Sequence, residues 1–263
     1  MNSVDDINLG MMRFAEAVAH YCVHDELFAH EIAALACVAA QFRGAPILDL
    51  GVGGGRSVKA LRAISVDYLG IDYSPEMLAA CRRRYPNVRF EYADARQLTK
   101  IASDSIGLAV FTCNGISMVT HEDRLAILRE VHRVLRPGGV FVFTTYNRNS
   151  AEAEAGFRYP EFDFSFNPLR FAVRSARFVR DSLVSLRNRR RYVKFEMRTD
   201  DYAIINDRCH NHGVMLYYIS LAQQRQQLVD QGFEPNAQAF DSGGEPMRED
   251  TRLDSMAFVA RKA

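Results

Sequence analysis

The segment Ile47-Leu48-Asp49-Leu50-Gly51-Val52-Gly53-Gly54-Gly55-Arg56 sets glycines at alternate positions directly after an apolar run. Glycine lets a backbone turn sharply and approach a ligand where any Cβ would clash, so this spacing serves a nucleotide-like ligand. A second chemistry-bearing pair is His210 and His212, with Tyr146, Asn147 and Tyr217 as candidate orienting groups. A neutral imidazole can take the proton of a hydroxyl acceptor. Two histidines two residues apart also read as turn residues, and no third ligand stands at a matching spacing, so no metal is expected. Cys22, Cys37, Cys81, Cys113 and Cys209 are odd in number and contain no Cys-x-x-Cys pair, which predicts a reduced, cytoplasmic chain.

Holding such a loop in place requires a strand before it and a helix after it, and the flanking pattern supplies both. Residues 46–50 read as a short buried strand and 56–64 as a helix. The alternation continues with a strand at 68–72, a helix at 74–85 capped by Ser74 with Pro75 at its first position, and strands at 88–94 and 106–111. Thr120 stands three residues before Asp123, a capping-box spacing, and opens a helix that closes at Pro137-Gly138-Gly139 before a strand at 140–146. Strands alternating with helices imply parallel pairing and a doubly wound α/β sheet. A helix is predicted over 25–42, another over 220–231, and an antiparallel hairpin from 233–240 and 256–261.

Residues 147–219 break this rhythm and read as an α+β cap inserted over the sheet. Residues 167–191 predict an amphipathic helix with Arg170, Arg174, Arg177, Arg180, Arg187 and Arg191 on one side and Phe171, Phe178, Val179, Leu183 and Leu186 opposite. Antiparallel strands are expected at 192–198 and 213–219. Phe14, Tyr21, Phe157, Tyr159, Phe162, Phe164 and Phe166 could wall an apolar substrate pocket or form the core of the cap.

Asp49-x-Gly51-x-Gly53-x-Gly55 resembles the first motif of class I S-adenosylmethionine-dependent methyltransferases, and residues 46–146 and 220–261 follow that family's order. The resemblance implies a Rossmann-like sheet of seven strands, S-adenosyl-L-methionine as cofactor, and a single domain. Its parts would be an N-terminal helical segment (1–45), a cofactor-binding core (46–146), the cap (147–219), and a C-terminal helix and hairpin (220–263). It also implies cofactor contacts from Gly51, Gly53 and Gly55, with Asp49 orienting the loop or meeting the cofactor amino group. Asp72, at the end of the second strand, would accept hydrogen bonds from both ribose hydroxyls. Tyr73 and Met77 would pack beside the adenine, and Asp94-Ala95 would stand near its amino group. Asn114 lies where cofactor and substrate meet in that family, so it binds there or makes the turn.

A nicotinamide-dependent oxidoreductase would want a third glycine at position 56, which is Arg56, and no P-loop motif is present. Lys plus Arg number 33 against 32 Asp plus Glu, which argues against a general nucleic-acid or anionic-membrane binder. The expected partner is therefore a small molecule acted on at N or O, mainly by proximity and orientation, with neither nucleic acid nor membrane. The chain is expected as a monomer or homodimer. RNA or protein methylation, and a non-catalytic cofactor-binding module, are the alternatives.

Overall fold

Four consecutive buried residues, Ile47–Leu50, form β1 at the centre of the sheet, with Leu48 and Leu50 packed into the core on one face and Ile47 into that on the other. The same alternation runs along the long strand two places across the sheet, where Phe141 and Phe143 face one core and Val140 and Val142 the other. This period of two on a sheet buried on both sides is what a doubly wound fold requires. The computed structural model describes residues 3–23 and 26–263. Ahead of β1 lie α1 (Val4–Met12), α2 (Ala15–Val23) and α3 (Ala29–Ala36). After it come α4 (Val58–Ile64), β2 (Tyr68–Asp72), α5 (Pro75–Arg84), β3 (Phe90–Tyr92), β4 (Ile106–Phe111), α6 (His121–Val134) and β5 (Leu135–Asn147). The cap holds α7 (Ala151–Glu154), α8 (Pro168–Tyr192), β6 (Met197–Arg198), β7 (Tyr202–Asp207) and β8 (Val214–Ile219); α9 (Leu221–Asp230), β9 (Gln238–Asp241) and β10 (Ser255–Arg261) close the chain.

β3, β2, β1, β4 and β5 pair in parallel in that spatial order, and β10 runs antiparallel to β5 with β9 outside it. One face is covered by α6 and α9 through Leu128, Val131, Leu221 and Leu228; the other by α3, α4 and α5 through Leu35, Val58, Leu61 and Leu78. Each such side chain, fully buried, contributes about 1.5–3 kcal/mol. Capping occurs where it was expected: Ser74, Thr120 and Ser220 accept from the backbone amides of Met77, Asp123 and Gln223.

Three expectations are corrected. The helix predicted over 25–42 is confined to Ala29–Ala36, followed by turns, and Asp25 lies outside the described residues. The strand predicted at 192–198 is mostly not one: α8 runs on to Tyr192, a 3-10 turn follows at Val193–Phe195, and the pairing strand is instead β7. The helix-forming arginine-rich run outlasts the short polar-apolar alternation there. The last hairpin begins only at Gln238, with Phe233 making an isolated bridge to Lys262, because Pro235 cannot donate to a ladder. The antiparallel strands of the cap join the main sheet. β8 pairs in parallel with the tip of β5, Tyr146 beside Tyr218 and Asn147 beside Ile219, so that β8, β7 and β6 extend the main sheet past the carboxyl end of β4.

Candidate active site

The loop between β1 and α4 carries Gly51, Gly53 and Gly55 at φ of 59°, 53° and 87°, a region that L side chains avoid. A Cβ on Gly51 would lie 2.5 Å from the Phe111 ring, and one on Gly54 only 2.6 Å from the Tyr21 carbonyl oxygen. Helix α2 therefore rests directly on the loop, and Arg84 fastens the two by donating to the carbonyls of Cys22 and Gly54, 3.2 Å each. Gly51, Gly53 and Gly54 line a cavity at the carboxyl end of the sheet. Gly55 does not; a Cβ there would strike Tyr85 and the Cys81 thiol at 2.7 and 2.9 Å, so this glycine serves close packing of the loop on α5.

Asp72 closes β2 with its carboxylate in the same cavity. Its Oδ2 accepts from the Gly53 amide and its Oδ1 from the Ser74 amide, both at 2.8 Å. A carboxylate has about four lone-pair positions, so acceptor capacity remains toward a diol beyond these backbone donors. Burial raises its pKa, against which the backbone donors of Ser74, Gly53 and Tyr73 act. Tyr73, Met77, Asp94 and Ala95 line the same cavity, and Phe111, Val119 and Ile127 add apolar wall. Asp94 is held by Arg96, at 2.6 Å, whose guanidinium also reaches Asp5 and Asp123. Burial opposes ionisation of Asp94, but the bonds from Arg96 prevail and its pKa is lowered.

Asp49 does not line the cavity. It is fully buried, and its Oδ2 accepts from Ser57 and Tyr68 hydroxyls, both at 2.6 Å. Of the two roles anticipated, the geometry displays loop orientation: the carboxylate ties β1 and β2 to the entrance of α4. Burial, partly offset by these two hydroxyls, pushes its pKa up to about 6.

A second cavity opens beside the first, beneath the cap, and His20, Tyr21, Phe28 and Cys113 line both. Asn114 belongs to this second space rather than to the cofactor cavity. It sits at a left-handed φ of 55°, its amide donates to Thr144 Oγ1, and its buried Oδ1 has no partner. Tyr146 and Tyr218 meet there with centroids 5.2 Å apart, and Tyr218 donates to Asp207 at 2.6 Å. His210 enters the space from a turn in which His210, Asn211 and His212 all have left-handed φ, and its Nε2 lies 3.3 Å from the Tyr21 hydroxyl. Burial, aided by His20, lowers the pKa of His210 and keeps its ring neutral near pH 7.

Other expected residues fall elsewhere. His212 is turned away from the cavity: its Nδ1 and Nε2 each lie 3.2 Å from a carbonyl, of Asn206 and Arg158, and the N–H of either tautomer donates to one of them, which makes it a brace for the turn. Asn147 donates to the carbonyls of Thr251 and Leu253, and Tyr217 bonds His121 within the core. Phe14 and Tyr21 line the second cavity; Phe157, Tyr159, Phe162, Phe164 and Phe166 do not.

Several partners were not legible in advance. Glu31, fully buried, pairs with Arg56 through two 2.7 Å bonds and accepts from the Cys113 amide, locking α3 to the glycine loop and to the turn after β4. Asn8 bonds both backbone groups of Met215 and the Met118 carbonyl, drawing α1 onto β8. The only hint was an acid in the first turn of α3, and a lone asparagine in α1 carries no pattern. Among the described residues, no group of three His, Cys, Asp or Glu side chains could hold a metal ion.

Comparison with known proteins agrees with this geometry. Residues 47–139 match a family described as a methyltransferase domain. The chain is 32% identical over 141 residues to a malonyl-[acyl-carrier protein] O-methyltransferase of Enterobacter lignolyticus, covering 52% of this chain and 53% of that one. It spans about half or less of the length of the curated relatives it matches. Among solved structures, a S-adenosylmethionine-dependent methyltransferase of Thermotoga maritima superposes with a TM-score of 0.57 at 15% identity, covering 98% of this chain and 100% of that one. A 1,6-didemethyltoxoflavin-N1-methyltransferase of Burkholderia thailandensis, with bound 1,6-didemethyltoxoflavin and S-adenosylhomocysteine, gives 0.53 at 15% identity over 89% and 78%. At such identities the structures establish the fold alone. The matched domain, the strand order and the glycine loop agree: residues 47–139 are similar to a methyltransferase domain, and the fold is that of S-adenosylmethionine-dependent methyltransferases.

Proposed function

We propose that this chain transfers a methyl group from S-adenosylmethionine to an N or O atom of a small molecule held beneath the cap. The observation that carries this reading is the pair of adjoining cavities, with Tyr21, His20, Phe28 and Cys113 as their common wall. The residues of the first cavity fit the cofactor: Asp72 offers its remaining acceptor capacity to a diol, the glycine loop leaves room for a chain passing over it, and Met77, Val119 and Ile127 offer an apolar slot for a base. When bound, S-adenosylmethionine supplies a methyl on a sulfonium, which is a good leaving group.

The protein's main contribution is position. Holding two reactants in line can supply on the order of 7–11 kcal/mol without any proton transfer. The cap supports this by closing over the second cavity, with the Tyr146–Tyr218 ring pair and the free Oδ1 of Asn114 available to orient an acceptor. His210 is placed to take a proton where the acceptor is a hydroxyl, a role worth roughly 10²–10⁴-fold. The Burkholderia protein, described with bound 1,6-didemethyltoxoflavin and S-adenosylhomocysteine, shows that a chain of this fold can hold both kinds of molecule at once.

The test is to incubate the protein with methyl-labelled S-adenosylmethionine and a cell extract, then fractionate. Label is expected in the small-molecule fraction; label confined to RNA or protein would overturn the acceptor class. With that acceptor in hand, His210→Ala is expected to keep kcat within about tenfold across neutral and alkaline pH, as proximity requires. A loss beyond about a hundredfold that high pH relieves would make His210 a catalytic base instead.

A further inference from the structure

Helix α8 has an inverted character. Its protein-facing side is partly polar: beside the buried Tyr192, Ser185 is buried and donates to Asn211 Oδ1 at 3.5 Å, and Asn188 donates to the Asn211 carbonyl at 2.9 Å. Four of its aliphatic side chains point outward, while Leu186 is half-buried and Val184 faces the cavity beneath the cap. Leu169, Val173, Val179 and Leu183 are 79%, 61%, 55% and 64% exposed. Their spacings of four, six and four residues, at about 100° per residue, gather them on one face roughly 21 Å long. Phe164 and Phe166, just before the helix, are 56% and 95% exposed, with ring centroids 5.1 Å apart. Arg170, Arg177, Arg180 and Arg187 are all exposed along the same helix. α8 contains eight arginines and a single acid, while the rest of the chain has more acidic than basic residues. The near-neutral total therefore conceals a strongly basic element.

We propose that the exposed face of α8, with Phe164 and Phe166 at its start, docks on the surface of an anionic lipid membrane. An amphipathic helix lying in the headgroup region buries its aliphatic and aromatic side chains just below the phosphates, and long arginine stems carry their guanidiniums up to them. Phosphate-tracking nucleic-acid surfaces have the arginines but no use for a continuous aliphatic strip. A second copy packed about a two-fold axis would set one arginine-rich helix against another, and Asp163 beside that face is already paired with Arg174. The expectation of no membrane partner rested on the overall charge balance, which this segregation bypasses. Among the described residues no helix is long and apolar enough to cross a membrane, so the mode is peripheral. Val184 and Asn188 of the same helix line the cavity beneath the cap, which brings that cavity next to the docked surface.

Flotation of the full chain with vesicles tests this. Binding is expected to phosphatidylglycerol vesicles and not to phosphatidylcholine vesicles, and to weaken as salt is raised. The variant carrying Leu169→Asp, Val179→Asp and Leu183→Asp, and the variant carrying Arg177→Glu and Arg180→Glu, are each expected to lose at least about tenfold in vesicle affinity. Both change only exposed side chains, and an unchanged Tm confirms their folding. Equal binding to both vesicle types, no binding to either, or full retention by the folded variants would overturn the proposal. So would RNA binding that the arginine variant abolishes and the leucine variant spares, if vesicles are not bound, and so would a dimer dissolved by the leucine variant in the absence of vesicle binding.

Discussion

Replacing Arg124 by alanine is expected to lower the unfolding free energy by about 3–5 kcal/mol, read as a fall of roughly 10 °C in Tm. The side chain is fully buried between α6 and the sheet. It donates to Gln227 Oε1 and the Ile116 carbonyl at 3.0 Å, to Thr145 Oγ1 at 3.2 Å, and to Gln224 Oε1, and its guanidinium lies 4.6 Å from the centre of the Tyr217 ring. No carboxylate is among these partners; neutral acceptors alone hold the cation, and burial lowers its pKa to about 10. Removing it leaves a void and at least two buried acceptors, Gln224 Oε1 and the Ile116 carbonyl, without a donor. Ile116 belongs to the turn that follows Asn114, so the loss also loosens the turn that carries Gly115 to the first cavity and Asn114 to the second. Thermal unfolding of the variant measures this, and a Tm within a degree or two of the parent would show that the network contributes little.

Asp72→Ala is expected to weaken S-adenosylhomocysteine binding by roughly 10–100-fold, the size of hydrogen bonds to a charged acceptor. The structure adds a second effect that a pure ligand contact would lack. Because Asp72 also receives the amides of Gly53 and Ser74, the variant orphans both donors and loses about 1–3 kcal/mol of stability. Asp72→Asn keeps an acceptor for one amide and is expected to recover part of the stability while remaining weak in binding. Isothermal titration and thermal melts on the same samples separate the two effects. Unchanged affinity in both variants would remove Asp72 from the cofactor site.

The sheet and the glycine loop were legible because their signals are local. The apolar period of two, the capping residues Ser74 and Thr120, and the glycine spacing each report backbone geometry within a few positions, and the strands and helices stand where those signals put them. Asp72 was placed in the cavity for the same reason, since its position follows from where β2 ends. What failed was long-range. Gly55 and Gly54 look alike in sequence, yet one packs against α5 and the other against α2, and only tertiary contact distinguishes them. His210 and His212 differ by two residues, but the left-handed turn sends one toward Tyr21 and the other toward Asn206 and Arg158. Three successive non-glycine residues in that conformation run against local preference, so no propensity argument predicts the turn. The amphipathic pattern of α8 was legible, but not which side faces the protein: amphipathic helices normally turn the aliphatic side inward, and here Leu169, Val173, Val179 and Leu183 stay exposed.

The central claim is the identity of the ligand in the first cavity, and isothermal titration calorimetry of the full chain against S-adenosylmethionine, S-adenosylhomocysteine and NAD tests it most directly. The glycine loop ends in Arg56 where a dinucleotide-binding loop would want its third glycine, and Arg56 is held there by Glu31 in a buried pair. Saturable one-to-one heat is therefore predicted for both S-adenosyl ligands and none for NAD. Binding of NAD with no heat from either S-adenosyl ligand would contradict the account.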